Sequence, residues 1–99
     1  MLLVIGHLRF PAEARSGVLA ALAEVIVATR TEPGCLFYDF AEDVLECDLF
    51  RVSEGWRDAD ALRAHFASPH MARFRAAREA LGMAERVVTI YGTEGPVEV

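Results

Sequence analysis

The chain has 99 residues, of which 54% are hydrophobic, and its formal net charge is −5 at pH 7. This length predicts a single domain spanning 1–99. The basic residues are all arginines and form no run, which excludes the basic stripe that nucleic-acid binding requires. No apolar run approaches the roughly 18–20 residues of a membrane helix, so we expect a cytoplasmic protein with no membrane partner.

The first elements in the chain are a strand and a helix. Residues 2–10 alternate as a strand, and Pro11 suits the first turn of a helix because its missing N–H costs nothing there. Pro33 and Gly34 end that helix. Its apolar face has the spacing of one helical side and comprises Val18, Leu19, Leu22, Val25 and Ile26.

Two further strands, 35–41 and 47–56, are predicted to form a hairpin with its turn at residues 42–43. Each strand starts near a cysteine, Cys35 or Cys47, which puts the two thiols at opposite ends of the hairpin. That separation exceeds the roughly 7 Å between Cα atoms that a disulfide tolerates. We expect free and mostly buried thiols.

The pattern in the last third of the chain predicts two helical segments and a strand. Asp58 is the expected N-cap of a short helix with Leu62 and Phe66 one turn apart. Ser68 and Pro69 begin a second segment that closes at Gly82 and turns Met71, Phe74 and Leu81 inward. Residues 86–93 then form the fourth strand, and residues 94–99 are expected to be a C-terminal tail.

The order βαββαβ is that of an α+β, ferredoxin-like fold, with a four-stranded antiparallel sheet and both helices on one face. An antiparallel sheet with one wet face alternates cleanly between apolar and polar residues. These strands are apolar on both sides, as Leu2, Val4, Leu8 and Phe10 opposite Leu3 and Ile5 illustrate. We therefore expect a homodimer that buries the second face.

Several short motifs occur in an order that resembles the antibiotic biosynthesis monooxygenase (ABM) family, closest to its small bacterial quinol monooxygenases. They are Glu32-Pro-Gly-Cys35 followed by Tyr38, Glu54-Gly-Trp56, His65, and Ser68-Pro-His70-Met71. The resemblance implies a dimeric α/β barrel whose subunits each hold an apolar cavity. It also implies oxidation of quinols or polycyclic phenols by O₂ without a cofactor.

A haem-degrading branch shares this fold and uses an Asn on the first strand, a Trp at the end of the third and a His in the late helix. Trp56 matches that pattern. His7 occupies the strand-one position, however, and the late helix has Phe74 and Arg75 where the ligand is needed.

Glu54 is a candidate catalytic residue because it shares a strand side with Phe50, Val52 and Trp56, and a buried carboxylate needs a partner or a raised pKa. We expect its partner to be His65 or His7. The alternative is a structural bond between helix and sheet.

His65 borders the apolar stripe of its helix, and we expect it to be the base that removes a phenolic proton, with its tautomer set by Glu54. A structural histidine is the alternative. His7 is either a second base or oxyanion donor, or a polar residue at a strand end. His70 is expected in the first turn of its helix, exposed or capping.

The substrate-binding wall is expected to come from Trp56, Phe66, Phe74, Tyr38 and Met71, which are core residues on the simpler interpretation. Arg51 faces either the dimer core or an anionic oxygen. No metal is expected, because Ser68 and Pro69 interrupt the helix between His65 and His70.

The sequence thus predicts a cofactor-independent monooxygenase acting on a small aromatic substrate with O₂, in which His65 is the base, Glu54 its partner, and His7 a further candidate. The alternatives are a binding protein for a quinone or other hydrophobic metabolite, a haem-binding relative, and a structural dimerisation module.

Overall fold

The computed structural model describes residues 1–99 as one four-stranded antiparallel sheet and three α-helices. The elements are β1 (Leu2–Arg9), α1 (Arg15–Thr29), β2 (Cys35–Glu42), β3 (Leu49–Trp56), α2 (Ala59–Phe66), α3 (Pro69–Ala80) and β4 (Glu85–Gly92). The strand order is β2-β3-β1-β4. This confirms the ferredoxin-like α+β fold. No helix has the length and apolar character needed to cross a membrane.

The starts of α2 and α3 follow from side-chain caps that the sequence predicts. A carboxylate oxygen of Asp58 accepts a hydrogen bond of 2.8 Å from the backbone N–H of Ala61, at the start of α2. The hydroxyl of Ser68 accepts one of 3.3 Å from the N–H of Met71, and Pro69 occupies the first turn of α3. Both caps satisfy backbone donors that a helix leaves unpaired at its N-terminus.

One face of the sheet and the inner sides of the helices form the core. It contains Val4, Leu8 and Phe10 from β1 and its end, Val18, Leu22 and Val25 from α1, Tyr38, Phe50 and Trp56 from β2 and β3, and Ala61, Leu62, Met71 and Phe74 from α2 and α3. The expectation that Leu19 belongs to the inner face of α1 is wrong, because Leu19 is about half exposed; the buried face also includes Thr29.

The other face of the sheet carries Ile5, Phe37, Val87 and Tyr91, all of them partly exposed apolar side chains. The strand register puts Ile5 opposite Thr89 and His7 opposite Val87, so these residues share this outer face. Simple alternation along β2 would place Leu36 on the same side as Tyr38. A register shift between Cys35 and Phe37 inserts one extra residue, and Leu36 is exposed as a result.

Both cysteines are free, as expected, but only one is partly buried. Cys35 is half-buried at the start of β2, whereas Cys47 is exposed. The hairpin turn is longer than predicted because β3 begins at Leu49, and Cys47 therefore lies in the turn.

Gly6 is required by the close approach of β4 to β1. A Cβ atom at this position would lie 2.1 Å from the backbone oxygen of Val87 and 2.7 Å from the Cα of Val88. We expect Gly6→Ala to lower the free energy of unfolding by about 1–3 kcal/mol, since backbone atoms must move to admit the methyl group. Urea unfolding at a fixed protein concentration measures the change.

Gly92→Ala is the matched control, because it is also a strand glycine but no atom lies within 4 Å of its added Cβ. Equal stability losses for the two variants would contradict the proposed backbone clash.

Candidate functional site

A cavity of about 90 Å³ opens between the inner face of the sheet and helices α2 and α3. Ten of its fourteen lining residues are hydrophobic. The predicted residues that line it are Glu54, His65, Tyr38, Phe66, Met71 and Phe74. Two others do not, since Trp56 is fully buried behind the wall and His7 lies on the opposite face of the sheet.

His65 lies in the cavity wall with its two ring nitrogens in different situations. Nδ1 is 2.7 Å from a carboxylate oxygen of Glu32, whereas Nε2 is buried without any hydrogen-bond partner. An ionised carboxylate can only accept, so this bond requires the proton on Nδ1 and leaves the Nε2 lone pair free. Burial lowers the pKa of His65, and the hydrogen bond to Glu32 opposes that effect. The net effect favours the neutral imidazole.

The partner of His65 is therefore Glu32 and not Glu54, which corrects the sequence prediction. Glu32 lies in the turn after α1, and Gly34 in that turn has a φ of 83°, where a side chain is disfavoured. A Cβ on Gly34 would lie 2.6 Å from the Cβ of Ala61 in α2. The backbone oxygen of Gly34 also accepts a 2.8 Å bond from the N–H of Arg57. These contacts hold the turn, and with it Glu32, against α2.

His70 completes a cluster with Glu32 and His65. Its Nε2 is 3.4 Å from the second carboxylate oxygen of Glu32, and the two imidazole centroids are 6.0 Å apart. Ser68 and Pro69 interrupt the helix between the two histidines, as expected, but α3 restarts close enough to bring His70 alongside His65.

The same three residues are the only group here with the donor set of a metal site, with ligand atoms within 4.8 Å of one another. The 2.7 Å contact between His65 and Glu32 is shorter than the roughly 3.3 Å that separates ligands around a tetrahedral zinc ion with bonds of about 2.0 Å. Within this cluster His65 and Glu32 share a hydrogen bond, whereas His70 lies beside Glu32 without one.

Glu54 is buried, as the apolar row in β3 predicts, and is 7% exposed. Its carboxylate accepts a 2.9 Å hydrogen bond from the indole N–H of Trp56. Burial raises the pKa of Glu54 to about 7, because the bond from Trp56 and the charge of Arg86 only partly compensate for lost hydration. Glu54 is consequently about half protonated near neutral pH.

The remaining sequence candidates lie outside the cavity. The imidazole of His7 bonds to a carboxylate oxygen of Glu85 at 2.8 Å. Arg51 donates to Asp43 at 2.9 Å and does not line the cavity, so it is not positioned to stabilise an anionic oxygen there.

Three residues of this region were missed at the sequence level, namely Glu32, Arg78 and Arg86. Glu32 begins the Glu32-Pro-Gly-Cys35 motif, but its position in a helix-terminating turn is typical of a surface residue. Arg78 and Arg86 both line the cavity. Their spacing could have identified them, since Arg78 follows Phe74 by one helical turn and Arg86 shares a strand side with Val88.

A second groove lies between α1 and strands β2 and β3, and it is lined by seven hydrophobic residues and Glu42. Glu42 is already engaged by the guanidinium of Arg15. This groove therefore offers no free group for chemistry.

The comparisons with known proteins agree with this fold. The family model of the antibiotic biosynthesis monooxygenases matches residues 1–77. Two curated relatives are "Uncharacterized protein sll1783" of Synechocystis, 33% identical over 73 residues, and "Putative monooxygenase Rv0793" of Mycobacterium tuberculosis, 42% identical over 64 residues. The matches cover 74% and 65% of this chain, but only 50% and 62% of those relatives' lengths.

Two solved structures resemble the whole chain. A protein from Deinococcus radiodurans described as a putative antibiotic biosynthesis monooxygenase has a TM-score of 0.94 at 27% identity, covering 100% of this chain and 98% of its own. The structure of Rv0793 has a TM-score of 0.88 at 30% identity and covers 98% of both chains. The chain belongs to the antibiotic biosynthesis monooxygenase family.

Proposed function

We propose that this protein is a cofactor-independent monooxygenase that oxidises a quinol or related phenol with O₂. The observation that carries the proposal is the state of His65. Its Nδ1 is bonded to Glu32, and its unpartnered Nε2 belongs to a side chain in the wall of an apolar cavity. A neutral imidazole with one free lone pair is a general base at neutral pH.

Removal of a phenolic proton suffices to start this reaction, because an electron-rich phenolate can pass an electron to O₂. A quinol and O₂ then give a hydroxyquinone and water, so that one oxygen atom enters the ring and the other leaves as water. The quinol supplies the two electrons that reduce this second oxygen atom to water. The protein has to supply a base, an apolar enclosure and stabilisation of the anion.

Glu32 takes the role of positioning residue in this proposal. It holds Nδ1 in its protonated form and stabilises the imidazolium that forms when Nε2 accepts the proton, as the carboxylates of other catalytic dyads do. Glu54, bonded to Trp56 and partly protonated, keeps a second full negative charge out of the cavity, which favours formation of a phenolate.

The size of the cavity favours a small substrate. About 90 Å³ is less than the roughly 150 Å³ of an apolar cavity that holds benzene, so one ring enters only if the mouth adjusts. Phe66 lines the cavity and is 42% exposed, so its side chain has room to move. A single-ring quinol fits this volume better than a polycyclic phenol or haem.

We further propose that the protein acts as a homodimer through its outer sheet face, where Ile5, Val87 and Tyr91 leave apolar surface exposed. Exposed apolar area of this kind marks an interaction site, and a second copy of the same sheet covers it symmetrically.

The base is tested by oxygen uptake with a panel of single-ring quinols. We expect His65→Ala to lower kcat by about a hundred- to ten-thousand-fold, the usual contribution of a positioned base. His7→Ala is the matched control and should leave kcat unchanged, because His7 lies on the opposite face of the sheet. Quinol binding by the parent protein without any oxygen uptake would instead support the hydrophobic-metabolite binding protein.

Glu32→Gln should reduce kcat/KM by about tenfold and shift the acid limb of its pH profile to lower pH. The direction follows because Glu32 raises the pKa of His65, so its removal lets the free base persist at lower pH. An unchanged pH profile would mean that Glu32 is only structural.

The raised pKa of Glu54 leads to a separate prediction for stability. Its pKa is about 7 in the folded protein against 4.5 as the ordinary value, so between these pH values the folded state binds more protons. Its contribution to stability is therefore full at low pH and is lost as pH rises toward about 8. We expect the free energy of unfolding of Glu54→Gln, relative to that of the parent protein, to be about 2–3 kcal/mol higher at pH 8 than at pH 4. Urea unfolding at both pH values measures this difference, and a constant difference would contradict it.

The dimer is tested with Ile5→Arg, which places a charge on the outer face and should yield a monomer by light scattering. Leu19→Arg is the control, since Leu19 is exposed to a similar degree on α1. If only the Leu19 variant dissociates, the interface lies on the helical layer instead.

A further inference from the structure

The arginines of this chain differ in whether a carboxylate neutralises them. Seven of the ten lie within 4 Å of a carboxylate oxygen, and these are Arg9, Arg15, Arg30, Arg51, Arg57, Arg63 and Arg73. Arg75, Arg78 and Arg86 have no such partner. The chain has 15 acidic residues, so carboxylates are not scarce. Two of the three unpaired arginines, Arg78 and Arg86, line the same cavity.

Arg78 is the more constrained of these two. Its guanidinium carbon lies 5.2 Å from the centroid of the Phe74 ring, and its Nε is buried with no acceptor. An arginine stays charged in proteins, so this buried Nε–H remains without an acceptor until a ligand supplies one. Burial and the nearby charges of Arg86 and Arg75 lower the pKa of Arg78, which is the effect of a positive site without a counter-ion.

Glu54 offsets the positive charge at this end of the cavity only in part, because burial raises its pKa to about 7 despite the nearby charge of Arg86. It is the only carboxylate in the wall, its bonded oxygen accepts from Trp56, and it forms no ion pair with either arginine. The cavity therefore combines a positive end with apolar and aromatic walls, including Tyr38, Phe66 and Phe74.

We infer that the cavity binds an aromatic carboxylate, with the carboxylate on Arg78 and Arg86 and the ring between the aromatic side chains. A guanidinium presents a planar pair of donors that matches a carboxylate, and the bond is strengthened where water is excluded. This inference rests on the proposed function only in taking the cavity as the substrate site. It makes the substrate a carboxylated single-ring quinol.

The test compares a dihydroxybenzoate with the dihydroxybenzamide of the same ring substitution, which has almost the same shape but no charge. Calorimetric titration without oxygen separates binding from turnover. We expect the acid to bind the parent protein about 10–100-fold more tightly than the amide, since hydrogen bonds between charged groups are the strong ones. Equal affinities, or no binding of either compound, would overturn the inference.

Substitutions test which arginines bind the carboxylate. Arg78→Gln and Arg86→Gln should each reduce the preference for the acid, and the double variant should abolish it. Arg75→Gln is the matched control, because it removes an unpaired charge from the same helix but from outside the cavity wall. A preference that survives in both cavity variants, or that is lost equally in Arg75→Gln, would contradict the assignment.

Arg86 is exposed in the strand, so its variant is expected to fold even if Arg78→Gln does not. Failure of these binding tests leaves the proposed oxidation intact, because a neutral quinol can still be turned over. Conversely, if no quinol supports oxygen uptake but the acid still binds more tightly than the amide, the carboxylate site stands and the proposed oxidation fails.

Discussion

The hydrogen bond between His65 and Glu32 is the interaction on which the candidate site depends. It joins the turn after α1 to α2, so it couples the packing of the helical layer to the state of the imidazole. Without a carboxylate at Nδ1, either ring nitrogen of a buried neutral histidine could carry the proton. With Glu32 present, only the tautomer with a free Nε2 satisfies the bond. The local fold therefore determines the chemistry that His65 can perform.

Burial controls the charges in this region in two opposite ways. Glu54 has its pKa raised to about 7 and loses its charge in part, because a carboxylate can take up a proton. Arg78 cannot lose its charge under ordinary conditions and keeps its buried Nε–H without an acceptor. The cavity thus favours a positive potential although the whole chain is acidic. Net charge alone would have predicted the opposite character for its ligand.

The sequence predicts the elements well because their signals are local. Asp58 and Ser68 cap helices where their spacing requires, and Glu54 is buried because its neighbours in β3 are apolar. The pairing of Glu32 with His65 was not predictable in the same way, since it joins residues 33 positions apart through a turn held by Gly34. The placement of His7 was ambiguous for another reason. When both faces of a sheet are apolar, alternation groups residues by side but does not identify the side that the helices cover.

That same alternation separates the proposed catalytic cavity from the proposed dimer face. Along β1, Val4 and Leu8 line the cavity, whereas Ile5 and His7 belong to the outer face. Adjacent residues of one strand therefore contribute to different properties, and they are joined only through a backbone that is rigidly paired on both sides. Gly6 lies in the middle of this arrangement, and the contact of its backbone with β4 sets how closely the two strands pack. A change of side chain on one face can alter that face alone, whereas a change at Gly6 must disturb both.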